Sequence, residues 1–242
     1  MKLITVKSSG DAGAKAASLT ALEIKRKKNL ILGLATGGTM IPFYRSLADM
    51  INNKKIDISR VRTFNLDEYV GLKRDDKQSY FYFMEKNFFS KVPILIRNVH
   101  FLDGKARDFN LECKNYENLI KDGGGIDLQV LGIGRDGHIG FNEPGSSLKS
   151  RTREVLLSEI TRKDNSRFFS SVNKVPRRAL TMGIAAIMSA RKIILLASGK
   201  NKAEIMHRFL HGSLSEDVPA SFLLKHDNIT IILDRDAASE LH

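Results

Sequence analysis

A doubly wound α/β fold, with a mostly parallel central sheet and helices on both faces, is predicted by three observations. Short apolar runs alternate with longer amphipathic ones along the chain, the signature of successive βαβ units. Several short runs, Lys192-Ile193-Ile194-Leu195-Leu196 most plainly, are apolar on both faces, as strands of a sheet covered on both sides must be. No Pro/Gly/Ser-rich linker, composition break, internal repeat or low-complexity tract divides the 242 residues, so residues 1–242 are expected to form one domain.

The elements follow in order. The apolar run Leu3–Val6 reads as a strand and the amphipathic stretch Ala12–Lys25 as a helix. That helix runs out into Lys25-Arg26-Lys27-Lys28; cations suit the negative end of a helix dipole, so this is a solvated helix end and not a nucleic-acid patch. The strand Leu30–Ala35 and the helix Ile41–Met50 make the next unit, then the strand Val61–Asn65 with helices over Tyr80–Phe89 and Asn110–Ile120. Leu128–Gly132 is a strand, Arg178–Met188 an amphipathic helical pattern, Lys192–Ala197 a strand, Lys202–Leu210 a helix and Ile229–Leu233 the last strand.

Composition narrows the functional classes. The net charge of +12 favours an anionic partner: nucleic acid, acidic membrane or a phosphorylated small molecule. Cys113 is the one cysteine, which excludes an intramolecular disulfide framework and a multi-cysteine zinc site and fits a reducing, cytoplasmic setting. It falls in a helical stretch and is expected to pack there. No apolar run approaches the ~18 residues of a membrane span. The start, Met1–Lys7, turns polar too soon for a secretory signal.

In such sheets ligands collect beyond the carboxyl ends of the strands, and the unusual polar clusters all fall there. Thr36, Gly37, Gly38 and Thr39 follow the second strand; free N–H groups where a helix begins attract an anion, and the glycines let it come close. Arg167 and Lys202 are candidate cations to complete a phosphate clamp. Asp67-Glu68 ends the third strand, where a carboxylate can serve as a base next to a carbonyl. Asp136, His138 and Glu143 lie in a loop with glycines at 132, 134, 137, 140 and 145; a histidine flanked by carboxylates is fixed in one tautomer and can relay a proton. No serine or cysteine nucleophile accompanies them, so the natural class is a sugar-phosphate reaction driven by proton transfer.

Other patterns carry less. Gly132-Ile133-Gly134-Arg135-Asp136-Gly137 fits a dinucleotide fingerprint but is followed by Gly140, Asn142, Pro144 and Gly145, which break the helix that fingerprint needs. His207 and His211 have the spacing of a zinc helix, but Arg208 stands where a zinc protease needs Glu. His100, His226 and His242 read as surface or structural.

Three long motifs, Leu32–Thr39, Thr63–Leu72 and Gly132–Gly145, with Ser150–Arg153, Asn165–Phe169 and Ala179–Gly183, resemble the glucosamine/galactosamine-6-phosphate isomerase family, in order over nearly the whole chain. The resemblance implies a Rossmann-like fold and hydrolytic deamination of glucosamine 6-phosphate to fructose 6-phosphate and ammonia, with no metal or organic cofactor. Carried over by position, it implies that His138, assisted by Asp136 and Glu143, opens the pyranose ring. Asp67 would then move a proton between carbons 2 and 1. Thr36–Thr39 with Arg167 and Lys202 would hold the phosphate. It implies a small-molecule substrate, with neither nucleic acid nor membrane as partner. Oligomeric state is left open. In regulated relatives, basic residues just after the ring-opening loop bind an activator's phosphate; Arg153 matches one, whereas Val155 stands in the place of a lysine. Two other readings share the pattern: a 6-phosphogluconolactonase, which has no carbon-bound proton for Asp67 to shuttle, and a sugar-phosphate sensor without turnover.

Overall fold

The computed structural model describes residues 1–166 and 169–241. The chain runs β1 (Lys2–Val6), α1 (Ser9–Arg26), β2 (Ile31–Leu34), α2 (Ile41–Asn53), β3 (Arg62–Asn65) and β4 (Asp67–Tyr69). Next come α3 (Tyr80–Asn87), β5 (Val99–His100), α4 (Phe109–Asp122), β6 (Leu128–Gly132), β7 (Arg153–Leu156) and α5 (Glu159–Asn165). It ends with β8 (Arg178–Thr181), α6 (Ile184–Met188), β9 (Ile193–Ala197), α7 (Ala203–His211) and β10 (Ile229–Asp234).

Seven strands pair in parallel in the order β1-β10-β9-β6-β2-β3-β5. Every residue of β2 and β9 is buried, which is why these runs are apolar on both faces. Ser8 caps α1, its side chain accepting the Asp11 N–H, and the small residues Ala12, Gly13, Ala16 and Ala17 let α1 close onto α2. From β2 the chain winds outward through β3 to β5, then crosses to β6 and winds the other way. The reversal between β2 and β6 is the switch point at which loops diverge and leave a crevice.

β4, β8 and β7 form a second, antiparallel sheet that the sequence pattern does not announce. Leu66 joins the two sheets: its N–H donates to the Leu34 carbonyl (3.0 Å), and its own carbonyl accepts from the Met182 N–H (2.7 Å). The helix expected over Arg178–Met188 is therefore corrected. Its first four residues are the middle strand of this sheet, pairing with both β4 and β7, and only Ile184–Met188 is helical. Cys113 is buried in α4, as expected. No helix among the described residues is long and apolar enough to cross a membrane.

Candidate functional site

A cleft of about 450 Å³ lies over the carboxyl ends of β2, β3, β6 and β9. Thr36–Thr39, Asp67, Gly132–Arg135, His138, Ser198 and Lys202 all line it, so four separate strand ends converge on one rim. Arg167 lies outside the described residues.

The turn after β2 has Gly37 at φ +113°, a left-handed conformation, and a short 3-10 turn at Gly38–Met40 leads into α2. Amide groups of this kind at the start of a helix suit a phosphate. Asp67 comes from the other sheet. It is 5% exposed, and among the described residues no lysine or arginine pairs with it. Burial, and then the neighbouring charge of Glu68, hold its carboxyl well above the usual carboxylate range. Gly140, at φ +59°, lets the loop backbone pass close; a Cβ there would lie 3.2 Å from Asp67 Oδ2 and 3.0 Å from Thr181 Oγ1. Thr181 is the direct partner of Asp67 across β4 and β8, and its hydroxyl oxygen accepts the Phe141 N–H (3.0 Å). Asp67 is thus packed against the loop that carries His138.

In that loop Asp136 Oδ1 lies 2.6 Å from His138 Nδ1 and 3.2 Å from the His138 N–H. Burial alone would raise Asp136, but the hydrogen bond and charge of His138 outweigh it and bring the carboxyl to about 2. An ionised carboxylate has no proton to give, so the hydrogen between them is carried on Nδ1, the arrangement in which Nε2 faces away from Asp136. Gly134 makes room, since a Cβ there would collide with the imidazole. Glu143 is placed elsewhere. Its carboxylate accepts from the Ser158 N–H (3.0 Å) and hydroxyl (3.1 Å) and lines a second cleft with Arg153 and Val155. The structure joins Asp136 to His138 directly, whereas among the described residues the hydrogen bonds of the Glu143 carboxylate go to Ser158.

One wall was not foreseen in the sequence. Lys77, Gln78, Ser79, Tyr80 and Phe83, at the start of α3, face into the cleft with Tyr69 and Asn165. The Tyr80 ring stacks on Phe141 (centroids 5.8 Å apart, planes at 11°), and Asn165 donates to the Tyr69 hydroxyl (2.9 Å). The cue was present: Ser79 before an aromatic run is an N-cap, and its side chain accepts the Tyr82 N–H.

Fold and site together define an α/β protein built for acid–base chemistry on a small anionic molecule. The family model for glucosamine-6-phosphate isomerases/6-phosphogluconolactonase matches residues 8–232. The glucosamine-6-phosphate deaminase of a Thermoanaerobacter species is 50% identical over 239 residues, covering 99% of this chain and 94% of that protein. That of Clostridium acetobutylicum is 48% identical over 241 residues, covering both chains fully. Among solved structures, a monomeric glucosamine-6-phosphate deaminase of the NagB superfamily superposes with a TM-score of 0.97 at 45% identity, covering 99% of this chain and all of that one. A 6-phosphogluconolactonase from Thermotoga maritima shares the fold, at a TM-score of 0.75 and 23% identity over 96% of this chain and 98% of that one. The chain belongs to the glucosamine-6-phosphate isomerase/6-phosphogluconolactonase family.

Proposed function

We propose that this chain converts glucosamine 6-phosphate and water to fructose 6-phosphate and ammonia, with Asp67 as the proton-transferring base and the His138–Asp136 pair as the ring opener. The sugar phosphate enters with its phosphate on the amides of Thr36–Thr39, beside Lys202, and the family resemblance adds Arg167 to its partners. His138 Nε2 takes the proton of the C1 hydroxyl and returns it to the ring oxygen as the C1–O5 bond breaks, giving the open-chain aldehyde. Asp136 keeps the ring in the right tautomer and stabilises the imidazolium that forms. Glu143 assists through the shared loop, which it anchors at Ser158.

In the open chain the C2 hydrogen lies next to a carbonyl. Asp67 removes it, an enol-type intermediate forms, and Asp67 returns the proton to C1. The C2–N bond is then that of an imine, which water hydrolyses to the ketone and ammonia. A carboxylate raised above its usual range is the stronger base, which suits it to a carbon acid.

The observation that carries the reading is Asp67 itself: a buried carboxylate with no salt bridge to a cation among the described residues, lining the same cleft as His138. Lactone hydrolysis has no carbon-bound proton for it to move. Residues 1–242 act as one domain in this reading, with a small molecule as partner and neither nucleic acid nor membrane. Some of the basic charge has other work: Lys27 and Arg191 bind Asp127. A cytoplasmic enzyme of amino-sugar breakdown is the setting that fits. Purified protein should release ammonia from glucosamine 6-phosphate and leave 6-phosphogluconolactone unhydrolysed; the reverse pattern makes it a lactonase, and binding without turnover makes it a sensor.

A further inference from the structure

We propose that Glu68 is a positioning residue for this reaction, a carboxylate that ties the start of α3 to β4 and so holds one wall of the sugar pocket in place against Asp67. The inference rests on the deaminase reading above. Successive residues of a strand face opposite ways, so while Asp67 faces the cleft, Glu68 turns away from it toward α3.

Glu68 is 4% exposed. Its Oε1 accepts from the N–H groups of Tyr69 (2.8 Å) and Tyr80 (3.0 Å), and its Oε2 from that of Phe81 (3.0 Å). Ser79 accounts for the rest: its hydroxyl oxygen accepts the Tyr82 N–H (3.0 Å), and its own N–H donates to the Asp76 carbonyl (2.9 Å). All four N–H groups that a helix leaves without partners are taken, two of them by a residue from a different element. Ser79 alone would cap this helix in the ordinary way. Burying a second acceptor, and a charged one, is costly and needs another reason.

The reason lies in what α3 carries. Gln78, Ser79, Tyr80 and Phe83 line the cleft, and the Tyr80 ring stacks on Phe141 in the loop of His138. Glu68 therefore links the base, the aromatic wall and the histidine loop through one side chain. Three N–H groups converging on two oxygens call for a carboxylate. Glutamine has one oxygen and would aim an N–H₂ at one of the donors, and aspartate is a methylene too short to reach α3.

Glu68 also bears on Asp67 electrically. Its negative charge is, after burial, the second cause of the high Asp67 value, and its own carboxyl is pushed up to about 7 by burial against the pull of the three amides and Arg74. The other titratable groups around Asp67 are the buried tyrosines 44, 69, 80 and 116, with Lys77, Arg135, His138, Asp164 and Lys202 along the cleft.

The experiment is steady-state ammonia release from glucosamine 6-phosphate over about pH 5–9. It compares wild type, Glu68→Gln and Glu68→Asp, with circular dichroism to verify folding. Glu68→Gln should lower kcat/KM roughly 10- to 100-fold, the scale of a small misplacement of reacting groups. It should also move the acid limb of the pH profile to lower pH, because a negative charge beside the base is gone. Glu68→Asp should lose a similar factor with the limb in place. A helix cap of merely structural value would move stability and leave both the limb and the rate alone; folded variants within about twofold of wild type, or a Glu68→Gln limb that does not move, overturn the proposal.

A wild-type measurement guards against variants that do not fold. Amide hydrogen exchange at Tyr80 and Phe81 should be slow, like that at Tyr82, and exchange at free-peptide rates overturns the proposal. A wild type that releases no ammonia sinks the deaminase reading instead, and the exchange result still judges Glu68.

Discussion

Asp127 and Asp67 are both buried aspartates at the ends of sheet strands, and they could hardly be treated more differently by their surroundings. Asp127 stands before β6, at the amino ends of the strands. Its carboxylate accepts from Lys27 Nζ (2.7 and 2.8 Å), from an Arg191 guanidinium nitrogen (3.0 Å) and from the Ile31 N–H (2.9 Å). Asp67 stands at the carboxyl ends with no such cation among the described residues and with another carboxylate as its neighbour. One is neutralised and joins the start of β2 to the elements around it; the other is held in a state that costs stability. A buried acid surrounded by its counter-charges is architecture, and one deprived of them is chemistry.

The comparison breaks most sharply at Asp67. Asp67→Asn should cut turnover by roughly 10²–10⁴-fold with substrate still bound, measured as ammonia release alongside calorimetric binding. More than about a tenth of wild-type turnover remaining would take the base away from Asp67. The same variant should gain stability. A carboxyl raised in the folded state contributes stability that is full below its unfolded value and is lost as pH rises through the folded one. Asparagine does not titrate, so its Tm should exceed that of wild type in alkaline buffer, and the gap should close as the buffer becomes acid.

His138→Gln tests the other acid–base partner. Glutamine cannot relay a proton, so turnover of the cyclic substrate should fall roughly 10²-fold or more. An open-chain analogue should suffer much less. Equal losses with the two forms would place His138 outside ring opening.

Asp127→Asn should do the opposite of Asp67→Asn. Lys27 and Arg191 are about half exposed, so water takes over much of their solvation; asparagine keeps one oxygen for the Ile31 N–H, and the main loss is the other acceptor, whose place an N–H₂ takes among donors. The expected cost is about 1–3 kcal/mol of stability, read by urea denaturation, with kcat unchanged. A fall in kcat at intact stability would erase the distinction between the two ends.

The smallest effect is expected in the second cleft. Arg153 already donates to Asn142 Oδ1 (2.9 Å) and Ser146 Oγ (3.3 Å), and Val155 beside it offers no charge. Rate-against-substrate curves with and without N-acetylglucosamine 6-phosphate should be hyperbolic and superimposable. A sigmoidal curve that the compound makes hyperbolic would show that Arg153 suffices.

The parallel sheet was legible because its signal is local: Ile193–Ala197 needs cover on both faces wherever it lies in the chain. The second sheet was not, because β4 is three residues long and its partner β8 lies far along the chain; Arg178–Thr181 has no periodicity of its own to reveal a strand. The same limit applies at the site. Asp136 and His138 are close in sequence and meet directly, whereas Glu143, read as their companion from spacing, hydrogen-bonds to Ser158 and lines the other cleft. Proximity along a glycine-rich loop is a poor guide to direction.

Leu66 has a mechanical consequence. It is the one residue between β3 and β4, and it hydrogen-bonds to each sheet, so the glycine turn after β2 and Asp67 on β4 belong to plates joined along a seam. A sugar phosphate bound as proposed, with its phosphate on one plate and its C2 carbon at the other, would work as a rivet across that seam. Its length then sets the spacing of the plates as much as they set its pose, and a sugar phosphate one carbon shorter would leave the joint slack even with both ends correctly recognised.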